Sequence, residues 1–178
     1  MALAQEPGVS SIRVKSRIIS SFQLGSSETR FGTLEFVGGL DMSSTSDRFG
    51  SMSAFHFLDA GHRFLGVTDT GSWYAGRILR DAEGKPASVE DYRMAPILGE
   101  DGLPLDGKRD SDAEGMAVSG RTVTLSFERN HRVAEYDLDT ERFASRPKTL
   151  PLPVPGEELR TNRGIETIAY APEDGPLR

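Results

Sequence analysis

The feature of this sequence that most constrains its fold is a pair of short apolar runs joined by a Ser-Gly turn, because similar pairs recur along the chain. In the clearest copy the two runs cover residues 110–118 and 122–129. Acidic residues stand where the first run begins and where the second run ends. Short alternating runs separated by turn residues are typical of β-strands. The sequence therefore predicts an all-β protein made of repeated units.

The composition agrees with a globular β protein. The 178 residues are 37% hydrophobic and 27% charged, which is enough for one domain with its own core. The 19 glycines and 10 prolines suit frequent turns. No segment predicts an amphipathic helix of more than about two turns.

Several classes of site and partner are excluded or disfavoured by composition. The absence of cysteine excludes disulfides, thiolate zinc sites and a cysteine nucleophile. No apolar run approaches the ~20 residues of a membrane-spanning helix. A net charge of −6 without a long basic run argues against nucleic acid as a partner.

Three strand openings can be superimposed, and they begin at Ser51, Glu114 and Glu166. Two of the strands that follow also match, because residues 64–69 and 123–128 both end in a carboxylate. The blades of a β-propeller repeat in this way and stack around a central channel. We therefore predict a β-propeller-like domain over residues 11–178, a partial propeller of about three blades that is incomplete at its C-terminus. A β-sandwich with accidental similarity between strands is the alternative.

Residues 1–10 are predicted to be a flexible N-terminus that carries the remnant of a signal peptide. Ala2 and Ala4 flank Leu3 in the small-x-small pattern of a signal-peptidase site, although the apolar segment that should precede this pattern is missing. If Met1 replaces a removed signal sequence, the protein is exported, and we expect it to be periplasmic or secreted. The alternative is a chance match, because alanine and leucine are abundant residues.

Several motifs occur in an order that resembles one known family. They are Gly-Gly-Leu at 38–40, Val-Thr-Asp-Thr-Gly at 67–71, Arg77, Asp-Ala-Glu-Gly at 112–115, Ser-Phe-Glu-Arg at 126–129 and Asn-Arg-Gly-Ile-Glu at 162–166. Together they resemble the N-terminal part of the phytase-like family, "esterase-like activity of phytase", over residues 31–170. The resemblance implies a propeller-like, commonly exported and largely bacterial hydrolase of phosphate or carboxylic esters. One departure, Ser-Met-Ser at 51–53 in place of Ser-Gly-Leu, argues against a role for Ser51 at the inner rim.

The carboxylates at the strand ends are the candidate ligands of a metal ion. In a propeller, Glu114 and Glu166 begin equivalent strands, while Asp69 and Glu128 end equivalent strands. Carboxylates that converge cannot all stay ionised without a cation, because like charges raise each other's pKa. Hard oxygen ligands suit Ca²⁺ best. The predicted metal ligands, Asp69, Asp112, Glu114 and Glu166, would otherwise cap turns or form ion pairs.

The same region supplies the candidate catalytic and substrate-binding residues. We expect Glu114, Glu128 and Arg129 to be catalytic, and Arg77, Arg129 and Asn162 to bind a small-molecule ester or phosphoester. Arginine suits this role because its guanidinium group can hold an anionic group through two parallel hydrogen bonds. A cation held by the carboxylates would bind the substrate oxygens.

Other kinds of catalytic site lack support in the sequence. No G-x-S-x-G elbow, P-loop, dinucleotide fingerprint or EF-hand loop is present, and the three histidines do not have the spacing of a local metal motif. Two alternatives to the hydrolase remain open. One is a non-catalytic propeller that binds a ligand or protein partner and uses its carboxylates structurally. The other is a lactonase-like enzyme with the same acidic channel.

Overall fold

The computed structural model describes residues 8–152, 154–161 and 163–170, and within these the chain is all-β. The predicted all-β class is therefore confirmed. The strands are β1 Ser10–Ser11, β2 Lys15–Ile19, β3 Arg30–Phe31, β4 Leu34–Glu35, β5 Gly39–Ser43, β6 Met52–Phe57, β7 Arg63–Thr68, β8 Ser72–Arg80, β9 Pro86–Pro96, β10 Ala113–Ser119, β11 Thr122–Phe127, β12 Arg132–Asp137 and β13 Lys148–Leu150. The helical segments are one α-helical turn, α1 Lys108–Ser111, and one 3-10 turn, Gly156–Glu158.

The first large sheet is an antiparallel meander of β6, β7, β8 and β9, to which β1 adds at the edge of β9. The predicted hairpin between β6 and β7 is confirmed, and Asp59 explains its turn. The Oδ1 atom of Asp59 accepts hydrogen bonds from the backbone N–H groups of His62 and Arg63 at 2.8 and 2.9 Å. Aspartate is favoured in turns because its short side chain can satisfy nearby backbone donors in this way.

The second large sheet is an antiparallel meander of β10, β11, β12 and β13. The predicted Ser-Gly turn joins β10 to β11, and Gly120 adopts a positive φ of 58° there, a backbone region that favours glycine. The first strands of the two sheets are neighbours, because β10 lies against both β6 and β7. The two meanders are separate sheets that adjoin at their opening strands.

The N-terminal strands lie outside the two meanders. β2 pairs with β5, β3 pairs with β4, and β2 also lies against β9. Most of the predicted signal remnant, residues 1–7, lies outside the described residues. No helix in the described parts of the chain has the length and apolar character needed to cross a membrane.

One apolar core lies between the two large sheets. Trp73 of the first sheet and Tyr136 of the second are buried, and their rings meet edge to face with centroids 5.2 Å apart. The hydroxyl of Tyr136 donates to the backbone oxygen of Leu98 at 3.2 Å, so its polar end is satisfied. Burying a large apolar side chain contributes about 1.5–3 kcal/mol. This core fixes how the two sheets face each other.

The opening hairpins of the two sheets share one irregularity. Met52 pairs with Thr68 and Ala113 pairs with Phe127, and a β-bulge follows directly after Met52 and after Ala113. Asp69 and Glu128 therefore occupy equivalent positions, as the matched second strands predict. Glu114, however, is equivalent to Ser53.

The predicted superposition of Ser51 on Glu114 is therefore wrong by two residues. A shift of two residues keeps every side chain on the same face of the strand, so the apolar pattern alone cannot detect it. By the hydrogen-bond register, Ser51 of the first hairpin is equivalent to Asp112 of the second.

Candidate acidic site at the ends of the strands

Three carboxylates meet where the second meander begins. The side chains of Asp112, Glu114 and Glu128 each offer one oxygen atom, and these atoms lie within 4.8 Å of one another. Asp112 follows α1, Glu114 lies in the bulge of β10, and Glu128 follows β11. Antiparallel pairing brings the start of β10 beside the end of β11, and a bulge re-aims the side chain that it carries. The cluster is thus a product of one hairpin.

Asp112 is the buried centre of the charge network, with only 1% of its surface exposed. Its Oδ1 atom accepts a hydrogen bond from Lys108 Nζ at 2.5 Å, and its Oδ2 atom accepts one from Arg129 Nε at 2.7 Å. Burial opposes ionisation of Asp112, but the Lys108 and Arg129 donors prevail and lower its pKa. Asp112 therefore stays ionised.

Glu114 has the opposite electrostatic setting. Partial burial, followed by the negative charges of Asp112, Glu166 and Glu128, raises the pKa of Glu114 to about 7. A glutamate with that pKa exchanges its proton near neutral pH. The cluster thus contains one carboxylate that holds its charge and one that gives it up.

Glu128 is held from the other side by the segment that follows β13. It is buried, and its Oε1 atom accepts the backbone N–H of Gly164 at 2.6 Å. The ring of His131 packs so closely on Gly164 that a Cβ atom there would lie 2.5 Å from the ring. Burial, followed by the charge of Glu128, raises the pKa of Glu166 in the same segment. The pKa of Glu166 therefore depends on the charge of the cluster.

Lys108 connects the cluster to the first sheet. Its Nζ atom donates to Asp69 Oδ2 at 2.7 Å and to the backbone oxygen of Asp69 at 3.1 Å, in addition to Asp112. The Oδ1 atom of Asp69 is buried and has no hydrogen-bond partner within the described residues. One ammonium group thus joins carboxylates from the two sheets.

Arg129 occupies a tight turn between β11 and β12. It adopts a positive φ of 57°, and its backbone N–H donates to the carbonyl oxygen of Thr161 at 3.2 Å. Its Nε atom is engaged by Asp112. The side chain is about one third exposed, at 36%, so its remaining N–H groups are not all enclosed by protein.

The structure brings most of the predicted site residues into one region, with two exceptions. The residues that lie together are Asp69, Asp112, Glu114, Glu128, Arg129 and Glu166. Arg77 does not join them, because it lies five residues along β8 from Ser72, roughly 16 Å from that end of the strand. It forms ion pairs with Glu90 and Asp91 instead. Asn162 lies outside the described residues.

Two residues of the region, Lys108 and Gly164, were not predicted from the sequence. Lys108 stands four residues before Asp112, and this spacing places two side chains on the same side of a helical turn. This spacing was not recognised, because Lys108 directly follows the Asp106-Gly107 turn in a segment with the composition of a charged loop. Gly164 stands in the Asn-Arg-Gly-Ile-Glu motif, but the motif does not reveal its role, which rests on its backbone N–H and its lack of a side chain.

The donor set fits a hard divalent cation. All its members are carboxylates, which are ligands of the kind that Ca²⁺ and Mg²⁺ take in proteins. The raised pKa of Glu114 reports crowded negative charge, and a cation would relieve it. Asp112, Glu114 and Glu128 would hold the ion.

Comparison with known proteins supplies one match. Residues 47–177 match the family described as "Phytase-like: Esterase-like activity of phytase", which is most of the chain. Neither the curated proteins nor the solved structures include one that matches.

Proposed function

Because this chain belongs to the phytase-like family, we propose that it is an exported, metal-assisted hydrolase of phosphate or carboxylic esters. The observation that carries the proposal is the convergence of Asp112, Glu114 and Glu128 within 4.8 Å. We place the active site at this cluster, and its substrate is a small-molecule ester or phosphoester. Export to the periplasm or the medium rests on the small-x-small pattern at Ala2–Ala4.

We further propose that the two meanders are adjacent blades of a β-propeller and that a third begins at residues 165–170. Two antiparallel four-strand meanders that adjoin through their first strands support this arrangement. The third segment runs beside β10, where a Cβ on Gly115 would lie 3.1 Å from the backbone nitrogen of Ile168. Ser126 Oγ donates to the backbone oxygen of Ile165 at 2.8 Å and ties this segment to the second meander.

In this proposal Ca²⁺ is the cation, and when bound it would polarise the ester and stabilise negative charge that develops on the substrate oxygens. The protein side chains divide the remaining work. Lys108 and Arg129 keep Asp112 ionised, and the N–H of Gly164 orients Glu128. Glu114 is placed to accept a proton from the attacking water. The N–H groups of Arg129 that Asp112 does not engage bind an anionic oxygen of the substrate.

The test combines calcium binding with hydrolysis. We expect millimolar Ca²⁺, compared with EDTA, to raise the melting temperature of the native protein, since a ligand at 100 times its Kd adds ~2.7 kcal/mol. Glu128→Gln should lose this response, whereas Glu83→Gln in an exposed turn should keep it. Glu114→Gln should fold and lose hydrolysis of p-nitrophenyl phosphate and p-nitrophenyl acetate. Unchanged turnover in Glu114→Gln would remove the catalytic assignment.

A non-catalytic propeller that binds a ligand or partner is the second candidate, and one observation favours it. Asp69 and Asp112 already share Lys108, and Glu128 is bound by a backbone N–H. Carboxylates that are satisfied in this way can serve the fold alone. A calcium-independent melt together with no hydrolysis of either ester would decide for this candidate.

A further inference from the structure

The ammonium group of Lys108 lies among three oxygen atoms, although 42% of its side chain is exposed. Its Nζ atom lies 2.5 Å from Asp112 Oδ1, 2.7 Å from Asp69 Oδ2 and 3.1 Å from the backbone oxygen of Asp69. An ammonium group has three donors, and each finds an oxygen acceptor here. Two carboxylates and one carbonyl are also an oxygen set that proteins offer to Ca²⁺. The position therefore suits either kind of cation.

The charge around this position shows why a cation is needed there. Asp112 is buried, and Asp69 has a buried Oδ1 atom without a partner in the described residues. Removing Lys108 would leave Asp69 without its cation and buried Asp112 with Arg129 as its remaining charged partner, which is destabilising. Arg129 serves the other oxygen of Asp112 but makes no hydrogen bond to Asp69. Among the described residues, Lys108 alone joins the two carboxylates.

The position of Lys108 in the fold makes the contact a junction between sheets. Asp69 follows β7 of the first sheet, and Asp112 precedes β10 of the second. α1 places Lys108 four residues before Asp112, from where its ammonium group reaches Asp69 as well. Without a positive charge there, the two carboxylates would repel each other across the junction between the meanders.

We propose that Lys108 is a built-in cation that fills a second cation position beside the Asp112–Glu114–Glu128 cluster. The native protein then takes one exchangeable divalent ion at the cluster and needs none at the junction. Because the side chain of Lys108 is partly exposed, a methionine at this position can turn towards solvent and leave the junction to a divalent ion. The inference extends the proposed function, and it is tested by binding and stability rather than by turnover.

The experiment is a metal-rescue test with Lys108→Met, and Lys85→Met in an exposed turn is the control. In EDTA we expect Lys108→Met to melt about 4–8 °C below the native protein, while Lys85→Met melts with it. Millimolar Ca²⁺ should raise the melting temperature of Lys108→Met by more than it raises that of the native protein. Calorimetric titration should find one more calcium ion bound per chain in Lys108→Met than in the native protein.

Each outcome separates this inference from the proposed function. A calcium response that is equal in the native protein and Lys108→Met, with equal stoichiometry, overturns the built-in cation even if calcium binds the cluster. An extra ion in Lys108→Met supports it even if the native protein ignores calcium, in which case only the proposed metal site fails. If Lys108→Met does not fold in EDTA, folding on addition of calcium supports the inference, and failure to fold in calcium overturns it.

Discussion

The opening hairpins of the two sheets have the same backbone and different chemistry. Both carry a bulge after the first paired residue, and both end their second strand in a carboxylate. The second hairpin has Asp112 and Glu114 where the first has Ser51 and Ser53. The same bulged hairpin thus occurs in both sheets, and the side chains of the second hairpin form a charged cluster. The comparison illustrates that a fold provides sites without determining their function.

The largest expected difference between the hairpins comes from Asp112→Ala. This change leaves Lys108 and Arg129 without their shared partner, and we expect it to lower the free energy of unfolding by about 2–4 kcal/mol, because both cations are partly exposed. Ser51→Ala at the equivalent position should change it by less than about 0.5 kcal/mol. Urea unfolding of both variants measures the difference, and equal losses would contradict the special status of the second hairpin.

The next effect concerns the position after Glu114, where the second hairpin has Gly115 and the first has Ala54. A Cβ on Gly115 would lie 2.5 Å from Ser126 Oγ and 3.1 Å from the backbone of Ile168. We expect Gly115→Ala to cost about 1–3 kcal/mol through overpacking, and to weaken hydrogen-exchange protection in residues 165–170. The reciprocal Ala54→Gly should cost only about 0.5–1 kcal/mol and leave those amides unchanged.

The smallest expected effect depends on pH and involves Glu114. The pKa of Glu114 is about 7 in the folded protein against 4.5 as its ordinary value, so the folded state holds the extra proton between these pH values. The stability of the native protein therefore falls relative to that of Glu114→Gln as pH rises through this window. In EDTA, the two should be equally stable at pH 4, and Glu114→Gln should be about 1–2 kcal/mol more stable at pH 8, allowing for screening by water.

The control for this pH effect is Ser53→Gln in the first hairpin, where the described residues form no cluster of three carboxylates. Its stability relative to the native protein should not change between pH 4 and pH 8. A constant difference between Glu114→Gln and the native protein over the same range would show that Glu114 is not crowded by negative charge in solution.

The positions of several strands could be predicted from the local sequence pattern, but the contacts that residues make across the fold often could not. Alternating apolar residues and turn residues predicted β6, β7, β10 and β11 because burial of one face imposes a period of two. Residues 166–169, predicted to begin another strand, instead run beside β10 outside any strand, with a bridge at Tyr170. Arg77 matched a family motif, yet it lies far along β8 from the cluster and forms ion pairs with Glu90 and Asp91.

The sequence by itself determined the all-β class, the hairpins and the presence of carboxylates at the ends of particular strands, because these follow from local periodicity and turn chemistry. Only the tertiary structure decided which carboxylates meet, since the bulge register and the packing of two sheets are not local properties. It also decided their charge states. Asp112 remains ionised because Lys108 and Arg129 reach it, while neighbouring Glu114 has a raised pKa because burial and other carboxylates surround it.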